Sequence, residues 1–384
     1  MIRFLTAAFL SLLLLVSVGC VSSSAPGTPD TANKLLSREF EKRPRGRIGS
    51  YATLTLGTYF LDPDQLGTHG YSFSLSEKNG IVYTCKAGHI DTYHLRDAAD
   101  WTAYLAGKTL RHLVKNETEF SFKLKEDSMC FVQLSYPENW QTLRQEDKEA
   151  IAYDVSIRLG QSLAYTMSTW HEILTWFGYK CTGIFPEFPS AFSWEDTYSN
   201  LLGTYVGAMA LRDTQHPFNQ AVSLAISSEL ERLYVQPGSV ARRASNQVKR
   251  LWFSGDLPFL VDVKKRNFNI GLDDGFVTPC LVPSLRECAG VQAQPYPVPN
   301  VELLRKYGFS ARFEIEPREW ERDKILSIVY PDKKTRKNRI EPARQFGVIM
   351  AAIRKQAEER YGPDVACSSN GQEQALTPHV DKTR

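Results

Sequence analysis

The spacing of apolar residues changes period along this chain, and each change marks an element. From Gln145 to Gly178, Ile151, Val155, Leu159, Leu163, Met167 and Trp170 recur every three or four positions. That is the stripe of one long amphipathic helix. Similar spacing predicts helices at about Asp97–Leu113, at 194–212, 219–235 and 239–252, and from about Pro342 to Arg360. Residues 51–60, 70–75 and 80–85 are instead rich in Tyr, Thr, Val and Phe and are broken by turns such as Asn79-Gly80, so they read as strands. Residues 119–135 predict a hairpin, with alternation in Phe120-Ser121-Phe122-Lys123-Leu124. Residues 254–300 are rich in Pro and Gly, with a turn at Gly271–Gly275. The pattern predicts an α+β protein: a strand-rich part (45–140) packed against a larger helical part (145–252) and a mixed part (253–362). Together they would form a single compact body with a disordered tail over 363–384.

The first residues follow another logic. Arg3 precedes an apolar run from Phe4 to Val18, and the run closes on Gly19-Cys20. This has the form of a secretory leader. At 15 residues the run falls short of the roughly 20 a spanning helix needs. A cysteine after a small residue at the end of a leader resembles the bacterial lipoprotein box. That resemblance implies a signal peptide over 1–19, lipidation of Cys20, and contact with the membrane through the lipid. The alternative is an ordinary leader cut near Ser22–Ser24. Residues 20–44 would form a flexible linker, since Val21 to Asn33 is mostly Ser, Pro, Thr and Ala. No Asp follows Cys20, which by the same resemblance implies the outer membrane, facing the periplasm.

Charge adds an exclusion and cysteine adds a question. A net charge of +3 over 384 residues, with no long basic stretch, argues against a nucleic-acid partner. The strongest basic cluster, Lys333 to Arg339, reads as a solvated loop. Six cysteines follow Cys20, none in a C-x-x-C motif, and an exported chain can oxidise them. Of the fifteen pairings that six thiols allow, the close spacing of Cys280 and Cys288 favours a bridge between those two.

Residues of catalytic type concentrate in three segments: Gly88–Trp101, Trp170–Gly178 and Ser190–Asn200. In the first, His89 and Asp91 would point the same way on a strand, and His94, Asp97 and Trp101 would share a helix face. His89, Asp91 and His94 are therefore candidate ligands for one divalent metal such as zinc. Asp97 and Asp100 also suit a plain helix start. In the second, His171-Glu172 begins like the H-E-x-x-H metalloprotease motif, but Thr175 stands at the second histidine position. Glu172 remains, among apolar neighbours that would raise its pKa and fit it for acid–base work. In the third, Glu195 is a candidate acid–base group, while Ser193 and Asp196 read as a capping box. No G-x-S-x-G elbow surrounds Ser199. Trp176, Trp194 and Tyr198 lie among these acids. They suit either a sugar-binding cleft or a helix-pair core.

These segments, quoted as Tyr83–Asp97, Glu172–Gly178 and Ser190–Gly203, resemble an uncharacterised family of bacterial lipoproteins, domain of unknown function 4056. The resemblance covers about 45–360 and implies the cell envelope but no reaction. A fainter likeness links Leu66–Phe73 to the histidine strand of circularly permuted papain-like envelope hydrolases, although no cysteine stands where their nucleophile would follow. Two functions are expected from the residues. One is a hydrolase of an envelope polymer (murein, glycan or lipid) with His94, Glu172 and Glu195 as catalytic groups and Asp97 and Asp196 as orienting groups. The other is a non-catalytic glycan- or partner-binding lipoprotein using the aromatic residues.

Overall fold

The computed structural model describes residues 34–47, 60–180, 188–255 and 261–371. The leader, Cys20, most of the 51–60 stretch and the end of the tail lie outside the described residues. The fold is α+β, and three helices form its centre. Helix α1 (Thr92–Val114) packs against α2 (Gln145–Trp176) and α3 (Asp196–Arg212), with α4 (Phe218–Arg232) beside α3. Glycines set how closely these helices approach. A Cβ on Gly160 would lie 2.7 Å from the Ala106 backbone nitrogen, and one on Gly207 would lie 2.6 Å from the Ala99 carbonyl oxygen. One on Gly203 would run into the Leu95 carbonyl. Gly203 and Gly207 are four apart and share a face of α3. They let α3 seat on α1 with the backbones almost touching, and so bring the start of α3 beside the start of α1.

Helix α1 begins five residues before the expected Asp97. Asp91 caps it, its Oδ1 accepting from the Tyr93 N–H at 2.8 Å. Asp97 and Asp100 therefore lie inside the helix and cap nothing. Likewise the Ser193–Asp196 capping box does not form, because α3 has no side-chain cap and only the Ser193 carbonyl accepts from the Asp196 N–H.

Two three-stranded antiparallel sheets flank the helices. Strand β1 (Ile81–Thr84) lies between β2 (Gly88–Asp91) and the short β5 (Val235–Gln236), with Val82 opposite Ile90. The hairpin β3 (Glu119–Lys123) and β4 (Met129–Ser135) is completed by a distant strand, β10 (Ser310–Glu316), which sets Phe313 opposite Val132. The first sheet is followed by α5 (Gly238–Val248), and two-stranded pairs β6–β7 (Phe253–Ser254, Asp262–Val263) and β8–β9 (Phe276–Val277, Tyr296–Pro297) come next. The chain ends in α6 (Arg322–Val329) and α7 (Pro342–Tyr361). Residues 70–75 form bends, not the expected strand. They carry Gly70 and the alternating Ser72 and Ser74, and their backbone bonds to side chains instead of to a partner strand.

The disulfides differ from the expected Cys280–Cys288 bridge. Cys85 pairs with Cys288 and Cys280 with Cys367, with Cα–Cα distances of 5.0 and 5.7 Å. Both distances suit a bridge. Folding outweighs sequence proximity here: Arg266 pairs with Ala366 and so delivers Cys367 to Cys280, leaving Cys288 beside the end of β1. Cys130 is free and buried.

A buried polar network fastens residues 45–47 and 66–78 to α1. His69 Nε2 lies 2.9 Å from Asp100 Oδ1, and Arg47 pairs with both Asp100 (2.8 Å) and Glu77 (2.9 Å). Arg45 adds a second guanidinium on Glu77 at 2.6 Å. Arg96 donates to the Leu66 and Lys78 carbonyls.

Candidate functional site: an imidazole between two carboxylates

Strand β2 ends at Asp91 as α1 begins, and His94 follows one turn later on the same side. Its Nδ1 lies 2.9 Å from Asp91 Oδ2 and 3.1 Å from Asp196 Oδ1. Nδ1 carries at most one proton, so a single N–H faces two carboxylates. Ser199 locks this arrangement: its Oγ accepts from the Asp91 N–H at 2.9 Å and donates to the Glu195 carbonyl at 2.6 Å. The end of β2 is thereby pinned to the first turn of α3. With its hydroxyl used in this way, Ser199 is a brace.

Two more acids close in from behind. Glu172, on α2, accepts from the Phe192 N–H at 2.6 Å and holds Phe192 at φ 54°, in the left-handed region. Bulky residues enter that region only when surroundings force them, so the turn before α3 is shaped by this contact. Glu195 is 1% exposed, and its Oε2 has no hydrogen-bond partner. Among the described residues no Lys or Arg side chain pairs with Asp91, Asp196, Glu172 or Glu195. Glu172 adds a weak electrostatic pull on the buried Arg266, but that guanidinium donates elsewhere, to the carbonyls of Val263, Pro189 and Ala191 and to the Tyr361 hydroxyl.

The electrostatics follow from that imbalance. Burial, and then the charge of Asp196, push Glu172 up to about 7. Burial, then the charges of Asp196 and Asp91, hold Glu195 well above the usual carboxylate range. Burial also raises Asp91, against the pull of His94. For His94 itself burial favours the neutral ring, but Asp196 and Asp91 outweigh it and hold the imidazole well above its ordinary value.

In front of His94 runs a narrow crevice of about 30 Å³, room for about one water. Asp97, Lys125, Glu126, His171 and Asn200 line it. His171 Nδ1 meets Glu126 Oε1 at 2.7 Å, a second imidazole–carboxylate pair on the same crevice. Lys125 Nζ lies 3.2 Å from the Tyr93 hydroxyl and 3.4 Å from Asp97 Oδ2. Sequence reasoning passed over Glu126 and Lys125, while Asn200 stood at the end of the third segment without a role. Glu126 sits in a hairpin turn 45 residues from its partner, so no local spacing marks it. His171 was visible as half of a broken zinc motif, and its actual partner comes from another element.

The structure thus brings together Asp91, His94, Glu172, Glu195 and Asp196, with Asp97 at the edge. It does not bring His89. That ring lies in a second core region, packed edge-on against Tyr83 and Trp194, and it accepts from Trp194 Nε1 at 3.2 Å. Burial lowers it to about 3, so it stays neutral. The group whose ligand atoms lie within 4.8 Å of one another is Asp91, His94 and Asp196, so Asp196 takes the place expected for His89 in a metal set. The aromatic residues are core. Trp176, Trp194 and Tyr198 are 4%, 1% and 1% exposed, with polar atoms bonded to Gln356, His89 and the Gln294 carbonyl. None offers a face on which a sugar can stack.

A buried imidazole–carboxylate cluster at the junction of a small sheet and a helix pair defines the class of site. The family profile for DUF4056, a protein of unknown function, matches residues 53–278. The chain belongs to that family, and the matched span holds every member of the cluster. No curated protein and no solved structure matches the chain.

Proposed function

We propose that this chain is a cell-envelope hydrolase whose centre is the cluster around His94, working with one divalent cation. The single observation that carries the reading is the position of His94 Nδ1 between two carboxylate oxygens, at 2.9 and 3.1 Å, with no Lys or Arg among the described residues to balance them. One imidazole and two carboxylates are a donor set that takes zinc or manganese. Glu195 Oε2, buried without a hydrogen-bond partner, is a further polar oxygen behind that set, and a nearby cation would favour its ionised form. A cation held by Asp91, His94 and Asp196 would supply Lewis acidity and an activated water. Glu172, balanced near neutrality behind that set, would be the group suited to hold a proton there. His171, held by Glu126, stands on the crevice as a donor toward the leaving group.

The location is part of the same proposal. The Phe4–Val18 leader and Cys20 support export and a lipid anchor, and two disulfides suit an oxidising compartment. Among the described residues no helix is long and apolar enough to cross a membrane. The substrate class is an envelope polymer. Aromatic glycan binding without catalysis draws no support from side chains buried in the core.

The test is to purify the full chain, measure bound metal, and assay release of fragments from murein, envelope glycan and phospholipid. The expected result is about one cation per chain, lost in Asp196→Asn, with turnover abolished by chelation and restored by zinc or manganese. A chain that binds neither metal and leaves all three substrates unchanged overturns the reading.

A further inference from the structure

We infer that the Gly70–Ser76 loop is a wedge that enters the lipid bilayer and sets how the anchored body sits on the membrane. This goes beyond the hydrolase reading and rests only on the part of it that places the chain at a membrane. Phe73 is 72% and Leu75 91% exposed, two residues apart at a loop tip. Scattered exposed apolar residues are ordinary, but these are presented by a braced structure.

The base of the loop is closed by its own side chains. Gly70 N–H donates to Glu77 Oε2 at 3.0 Å, Ser74 Oγ donates to the Thr68 carbonyl at 2.8 Å, and Lys78 N–H donates to the Leu66 carbonyl at 3.0 Å. Arg45 and Arg47 grip Glu77 and the Gly70 carbonyl from below. Tyr71 is buried beneath the tip, its ring 5.3 Å from that of Phe40. A loop fixed in this way cannot turn Phe73 and Leu75 inward. They remain in water unless something outside covers them.

Two observations select a bilayer as the cover. The first is where the anchoring chain arrives. Cys20 lies fourteen residues before Lys34, a reach on the order of 50 Å at full extension. Lys34 is tied by its Nζ to the Ala210, Asp213 and His216 carbonyls, and Phe40, six residues on, packs directly against Tyr71. The tether therefore joins the body beside the loop, and tethering holds the tip at a high effective concentration near the lipid. The second is charge. Exposed Lys42 and Lys78 stand at the base of the loop, with exposed Glu41 next to Lys42 as an acidic exception. Lys42 is fixed there, since its carbonyl accepts from the Tyr71 hydroxyl at 2.6 Å, and the Lys78 N–H is held by the Leu66 carbonyl. Apolar side chains beside basic ones suit an anionic lipid surface.

The experiment uses the full chain reconstituted into phosphatidylglycerol-containing vesicles, with a nitroxide at Leu75→Cys. Flotation first tests whether the chain is anchored at all. On the floated fraction, the label's accessibility to oxygen and to a water-soluble nickel complex is then measured. Expected is a label shielded from nickel and open to oxygen, while a label at Trp320→Cys, on a side chain 98% exposed on another element, stays open to nickel. A second label at Lys42→Cys should move into water when Phe73→Asp and Leu75→Asp are combined, with the unfolding midpoint unchanged. Partitioning of that double variant should fall at least tenfold, about 1.4 kcal/mol. A floated chain whose label at position 75 is as open to nickel as that at 320 overturns the inference while leaving the anchor standing.

Discussion

Helix α1 carries two buried histidines' partners within three turns, and the two surroundings use almost the same residue types. At Asp100, His69 sits against Asp100 and Glu77, and Arg47 and Arg45 supply the missing positive charge. At Asp91, His94 sits between Asp91 and Asp196 with Glu172 and Glu195 behind, and among the described residues no Lys or Arg side chain pairs with them. Burying a carboxylate costs several kcal/mol unless a partner offsets it. The Arg47 cluster offsets that cost internally and works as a strut holding residues 45–47 and 66–78 on α1. The His94 cluster leaves it outstanding, which is the condition in which a proton or a cation is taken up. What separates a fastening from a reactive centre here is charge balance, not residue choice.

The comparison can be broken in several ways. The largest effect should come from His94→Ala, which should lower hydrolysis by about 10³-fold with little change in unfolding midpoint. The matching change in the strut, Arg47→Ala, should do the reverse. Leaving Asp100 with His69 alone and Glu77 with Arg45 and His69 only should cost about 3 kcal/mol in urea denaturation, with activity per folded molecule kept.

A finer test uses pH. Glu172 sits at about 7 in the fold and near the ordinary carboxylate value once unfolded. The folded chain therefore holds the extra proton between those limits, and stability falls as pH rises through that window. In metal-free protein the part of the loss due to Glu172 should approach roughly 3 kcal/mol between pH 4.5 and 7, and Glu172→Gln should flatten the profile by about that much, leaving the share due to Glu195 and Asp91. Saturating cation should flatten the profile. The smallest effect is expected outside both clusters: Trp194→Phe removes the bond to His89 and should cost about 1 kcal/mol, with turnover unaffected.

Much of this was legible in the sequence wherever the cause was local. The long stripe from Ile151 to Trp170 became α2, and the alternation after Glu119 became the β3–β4 hairpin. Asp91, His94, Glu172, Glu195 and Asp196 stood out because acids and imidazoles crowded three short segments. What failed was decided by contacts across the chain. Asp97 looked like a helix start because its spacing to Asp100 is local, whereas Asp91 caps α1 from the end of a strand. His89 and Asp91 lie two apart, yet one ring settles against Trp194 and the other side chain turns to His94. Glu126 gave no signal, since its meaning comes from His171 across 45 positions.

The bridge between Cys85 and Cys288 spans 203 residues. One of its ends lies inside the stretch that defines the family and the other lies past residue 278, where that stretch stops. A fragment trimmed to the matched span would keep the whole His94 cluster yet strand the Cys85 thiol just past the end of β1. It would also lose β10, the strand paired with β4. The matched span is thus shorter than the unit that closes these bridges, and excising it should yield a chain that misassembles under oxidising conditions.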